Sequence, residues 1–99
     1  MFVALSQFTV VKGMEDSVKE AFLSRPHLVE NTSGFIRMEV LRPTSTPEEF
    51  WLMTWWADEA SFQSWHQSHE YHASHEFMPK GLKLVPGSAK ITHLELIAN

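Results

Sequence analysis

The sequence predicts an α+β domain with the element order β-α-β-β-α-β. Three observations carry that expectation. Phe2–Val11 and Glu49–Trp56 are dense in β-branched and aromatic residues that alternate between two faces. Val18, Ala21, Phe22 and Arg25 recur at helical spacing, as do Phe62 and Trp65. The runs Phe35–Arg42 and Glu49–Trp56 are joined by a short Pro- and Thr-rich loop, the mark of an antiparallel hairpin.

In the first strand, Phe2, Ala4, Ser6, Phe8 and Val10 share one face. Ser6 is the polar member of an otherwise apolar row. Lys12-Gly13 ends the strand. The first helix is expected over Glu15–Arg25, with Glu15 and Asp16 in its positive first turn and Pro26 against its continuation. An irregular or helical turn follows over His27–Asn31, and Asn31-Thr32-Ser33-Gly34 leads into the second strand. In the third strand, Trp51, Met53 and Trp55 occupy one face and Phe50, Leu52, Thr54 and Trp56 the other. A strand that is apolar on both faces is covered on both. In a two-layer domain the second cover is another subunit. Asp58 is the N-cap of the second helix, and Ser68 reads as a second cap that kinks it before a short helix to about Phe77. Met78-Pro79-Lys80-Gly81 breaks that helix, Leu82–Ser88 is loop, and Ala89–Ile97 is the fourth strand. This order is the ferredoxin-like split βαβ unit, an antiparallel sheet with two helices on one face.

The chain has 99 residues, is 43% hydrophobic and 12% aromatic, and carries a net charge of −4, so a single domain over residues 1–99 is expected. A domain this short buries only about 60–65% of its unfolded surface. A sizeable ligand cavity uses up much of such a core, which again favours a dimer. The basic residues are scattered rather than striped, which argues against nucleic acid and anionic membrane surfaces as partners. There is no cysteine, hence no disulfide, thiolate nucleophile or Cys-ligated metal. The N-terminal run has no basic segment or long apolar stretch, so neither a signal peptide nor a membrane span is expected. A cytoplasmic location is the expectation.

Chemistry concentrates in residues 65–75, where Trp65, His66, His69, His72 and His75 fall together. Imidazole is the commonest neutral nitrogen ligand for metals and haem iron, and indole is a rigid wall for a flat ligand. Histidines spaced by three spiral around a helix, so a tetrahedral metal site from this segment alone is not expected. His66 and His72 read as solvated. A straight helix turns His69 inward with Phe62 and Ala73, whereas a restart at Ser68 puts Tyr71 and His75 on one face. Helical geometry leaves that choice open.

Several of these segments together resemble one family. They are Asn31-Thr32-Ser33-Gly34-Phe35-Ile36, Val40-Leu41-Arg42-Pro43, Thr54-Trp55-Trp56, and Glu59-Ala60 with Phe62 and Trp65. They are similar to the antibiotic biosynthesis monooxygenase superfamily. The run Ser68, Tyr71, Ala73 and His75 resembles its Isd-type haem-degrading branch. The resemblance covers nearly the whole chain and implies a dimeric α+β barrel. It further implies a haem-degrading monooxygenase that opens the porphyrin with O2 and an external electron donor, haem being cofactor and substrate at once. By that resemblance His75 is the haem-iron ligand and Trp65 the ring that presses on the porphyrin. The family places an asparagine on the first strand. Here that position is Ser6, with one donor where the amide has two, so haem oxidation is expected to be slow, altered or absent. Gln7 would need a one-residue slip to the opposite face. Phe22 and Arg25 are further haem-contacting candidates, Arg25 as a cation for the propionates. Two other readings stand beside this one. The first is a cofactor-independent oxygenase of a quinol or polyketide-like aromatic. The second is a haem-binding domain without catalysis.

Overall fold

A computed structural model describes residues 1–68, 71, 73 and 78–99, and among these the named elements are a four-stranded sheet and two helices. The elements are β1 (Phe2–Thr9), α1 (Glu15–Leu23), a 3-10 turn (Val29–Asn31), β2 (Phe35–Leu41), β3 (Glu49–Trp56), α2 (Glu59–His66) and β4 (Lys90–Glu95). The strand order is β2-β3-β1-β4, with every pairing antiparallel. This is the ferredoxin-like arrangement predicted from the sequence. The expected second half of α2, to about Phe77, lies largely outside the described residues.

Register fixes the two faces. Phe2, Ala4, Ser6 and Phe8 of β1 oppose Trp56, Thr54, Leu52 and Phe50 of β3, and this side faces the helices. Val3, Leu5 and Gln7 oppose Trp55, Met53 and Trp51 on the other side. No helix covers that second face among the described residues. The Trp51/Met53/Trp55 row is therefore the stripe left open. Arg37 lays its guanidinium 4.0 Å from the Trp55 ring centroid, an attraction between cation and ring face.

The helix-side core divides into two clusters. One joins Phe2, Ala4, Val29, Trp56, Phe62 and Trp65. The other joins Val10, Val18, Phe22 and Phe50. Trp56 is completely buried, and its indole N–H donates to Thr54 Oγ1 at 2.8 Å, so its one polar atom is satisfied.

The element ends depart from the sequence reading for local reasons. The first strand stops at Thr9 rather than Val11; Val10 forms a bridge to Leu84 of the returning loop while its N–H donates to the Glu48 carbonyl at 2.9 Å. The first helix stops at Leu23, two residues before Arg25: Ser24 turns its hydroxyl back to the Glu20 carbonyl at 2.9 Å, and Pro26 disfavours helix at the residue before it. The second strand ends at Leu41, one residue before Arg42. The fourth strand runs Lys90–Glu95 rather than Ala89–Ile97. β1 begins at Phe2, and beyond Glu95 only the Leu96 N–H to Met1 carbonyl bond at 3.2 Å remains.

A bulge between Phe35 and Arg37 sends Phe35 to the helix side against Trp56, at 5.4 Å between centroids, while Arg37 faces the open side. Gly34, at φ +86°, lies so close to α2 that an added Cβ would sit 2.1 Å from Ser61 Oγ. Only glycine fits there.

Asp58 caps α2 as predicted, accepting from the Ser61 N–H at 2.8 Å and the Ser61 hydroxyl at 2.7 Å. These bonds, the hydroxyl's first, lower its carboxyl pKa. The break at Ser68 is also present. Its hydroxyl donates to the Trp65 carbonyl at 2.7 Å and accepts from the Tyr71 N–H at 3.1 Å, closing one helix and opening the next turn. Among the described residues, no helix is long and apolar enough to cross a membrane.

Candidate functional site

A cavity of about 270 Å³ lies between the helices and the sheet. It borders both core clusters. The sheet forms its floor through Ala4, Ser6, Phe8, Met38, Leu52, Thr54 and Ile91. The α1 end and the following turn supply Phe22, Arg25, Pro26 and Val29. The α2 side supplies Phe62, Trp65, His66 and Tyr71. Met78, Leu82 and Leu84 of the segment leading to β4 complete the walls.

Four sequence candidates, Ser6, Phe22, Arg25 and Trp65, meet on this one cavity. Ser6 stands midway along β1, paired with Leu52 on one side and Ile91 on the other. Ala4 belongs to the first core cluster and Phe8 packs on the second, so Ser6 occupies the seam between them. Gln7 lies on the opposite face, where a residue next in sequence must lie. Trp65 is buried and meets Tyr71 edge-on at 5.8 Å. His75, His69 and His72 lie outside the described residues. Among the described residues, no group of three His, Asp or Glu side chains is placed to hold a metal ion.

Arg25 does not face the cavity as an isolated cation. Its Nη1 and Nη2 donate to Glu30 Oε1 and Oε2 at 3.2 and 2.6 Å, and His27 Nδ1 lies 3.2 Å from the same carboxylate. The Arg25 hydrogen bonds lead the causes that lower the Glu30 pKa from 4.5 to about 2. Burial raises the Tyr71 phenol pKa, so it remains a neutral hydroxyl at pH 7.

Among the wall residues that sequence reasoning did not name as site members are His66, Leu82 and Leu84. His66 reads as solvated when the histidines are treated as a spiral. It is in fact half-buried on the wall, four residues after buried Phe62 and therefore on the same helical face. That spacing was the available signal. Leu82 and Leu84 come from a segment with no periodicity to read.

The fold and cavity define a ferredoxin-like α+β domain with an apolar small-ligand site between helices and sheet. The model of the family described as antibiotic biosynthesis monooxygenase matches residues 1–76. The chain belongs to that family. Over 79 residues it is 30% identical to a heme oxygenase (mycobilin-producing) of Mycobacterium tuberculosis, covering 78% of this chain and 75% of that protein. It is also 30% identical to a heme oxygenase (staphylobilin-producing) of Staphylococcus haemolyticus, covering 77% of this chain and 74% of the relative. The heme-degrader MhuD of Mycobacterium tuberculosis, solved with two hemes bound in its active site, superimposes with a TM-score of 0.81 at 24% identity, over 100% of this chain and 98% of that one.

Proposed function

We propose that this protein is a haem-degrading monooxygenase that opens the porphyrin oxidatively and releases its iron. The observation that carries this reading is the apolar cavity on which Ser6 of the sheet and Trp65 of α2 meet, in a chain 30% identical to a heme oxygenase. The wall chemistry fits haem. Aliphatic and aromatic side chains suit the macrocycle, and two residues able to carry charge, Arg25 in its pair with Glu30 and His66, border the same space. At about 270 Å³ the cavity lies just under the usual range of about 300–1,000 Å³ for ligand sites. A cavity of that size would enclose part of a macrocycle rather than all of it.

Bound haem supplies the iron at which O2 is reduced by electrons from an external donor. The chain does the rest. His75, by family resemblance, holds the iron. Trp65, braced by Tyr71, would pack against the porphyrin. Ser6 offers a hydroxyl from the sheet. Phe22 and its apolar neighbours exclude bulk water, which strengthens every polar contact inside. The reading includes a homodimer joined through the open face bearing Leu5, Trp51, Met53 and Trp55, and a cytoplasmic setting that supplies the reductant.

The test is a haem titration of the purified protein followed by absorbance, with ascorbate added at the end. A saturable Soret shift near one haem per subunit, followed by bleaching, is the expected result. A shift without bleaching would leave a binding protein. No shift would remove haem and turn attention to quinols and aromatic polyketides.

A further inference from the structure

We propose that His66 is a ligand-recognition residue of this cavity, donating a ring N–H to a carboxylate of the flat aromatic acid bound there. The inventory of polar wall groups leads to it. Thr54 Oγ1 accepts from Trp56 and keeps its hydroxyl donor, Tyr71 adds a neutral phenol, and Arg25 is gripped by Glu30. Ser6, Trp65 and His66 line the cavity without a hydrogen bond among the described residues. Only one of these three, the imidazole, can carry positive charge. It is the group matched to an anionic oxygen.

Packing sets the ring in place. Its centroid lies 4.5 Å from that of Tyr71 and 5.5 Å from that of Phe62. These two contacts hold the ring between Phe62 and Tyr71 on the cavity wall. A ring already ordered loses little further freedom when it binds. Arg25 is paired with Glu30, so of the two wall residues able to carry positive charge His66 is the one outside an ion pair among the described residues. This inference rests on the proposed function, because a tetrapyrrole with propionate groups is the acid that reading supplies.

The test uses metal-free protoporphyrin IX, which takes iron ligation out of the measurement, and its dimethyl ester, which takes out the carboxylates. Binding is followed by tryptophan fluorescence quenching in the wild type, His66→Phe and His66→Leu. Both variants remove the nitrogens, Phe keeps the ring packing, and circular dichroism confirms which of them is folded. The expected result is about tenfold weaker binding of the acid by the folded variants, near the lower end for a hydrogen bond to a charged group, with ester binding unchanged. Unchanged binding of the acid, or an equal loss for acid and ester, would overturn the His66 contact and leave the haem reading standing. A wild type that quenches with neither porphyrin would overturn both.

Discussion

Arg25 grips Glu30 with both terminal nitrogens, at 3.2 and 2.6 Å, across the break that Pro26 places after α1. The pair fixes the turn leading to Val29, which is buried in the first core cluster. It also keeps a guanidinium on the cavity wall, where a lone arginine would otherwise swing into solvent.

The pair gives stability a pH dependence. A carboxyl whose pKa is lowered on folding stabilises the fold above its ordinary pKa, and that contribution is lost as pH falls toward the folded value. For Glu30 the window runs from 4.5 down to about 2. The Glu30 side chain is 36% exposed, so solvent screening holds its contribution to about 1 kcal/mol or less. Urea unfolding of the wild type and Glu30→Gln should differ by that amount at pH 6 and converge near pH 2. Equal stability at pH 6 would show that the bridge is energetically silent.

Ser6→Asn should raise haem turnover by about tenfold, since it adds a second donor where charge develops in the reaction. The side chain grows into an existing cavity, so the cost in stability should be under about 1 kcal/mol. Single-turnover bleaching with ascorbate measures the first effect and thermal melting the second. An unchanged bleaching rate would show that the Ser6 hydroxyl does not address the reacting oxygen.

His75→Ala should abolish the Soret shift while leaving circular dichroism and oligomeric state unaltered. Normal haem binding by this variant would move the iron ligand elsewhere.

Met53→Glu should convert the proposed homodimer to monomer. Met53 sits in the middle of the open face, paired with Leu5 and Glu39 and flanked by Trp51 and Trp55. A carboxylate there would be desolvated without a partner, at a cost of several kcal/mol. Light scattering reads the outcome. A wild type that is already monomeric would remove the dimer, and a variant that stays dimeric would place the interface elsewhere.

Much of the fold is legible because its signals are local. Asp58 announces α2 by its cap, Pro26 limits α1 by its ring, and Ser68 marks a break with one hydroxyl that serves both sides. The alternation in β1 and β3 sorts their residues onto two faces, and the packing of Phe50 and Trp56 in the helix-side clusters shows which one is left open. Non-local relationships are not legible in this way. The bulge at Ile36, which separates Phe35 from Arg37 onto opposite faces, depends on the pairing with β3. Val10 bridges to Leu84 while its N–H still reaches the Glu48 carbonyl, and no pattern in residues 82–88 foretells that bridge. The candidate site divides likewise. The resemblance singles out Ser6 and Trp65, and strand and helix periodicity carries each to the cavity. The Arg25–Glu30 pair follows from the path of a turn. His66 is obscured by its histidine neighbours, although its distance from Phe62 was readable.

The two clusters of helix-side core have a consequence for the protein's energetics. A cavity where they would otherwise merge leaves each to be cohesive by itself, so the empty protein has an interior with a seam. A flat apolar guest laid across Ser6 would touch both sides of that seam and become its filling. Folding and loading are then one linked equilibrium: at a ligand concentration of 100 times Kd, occupancy adds about 2.7 kcal/mol to the folded state. When the guest is consumed, that contribution goes with it. Each turnover would end with the protein less stable than it began, and the next molecule to enter would restore the loss.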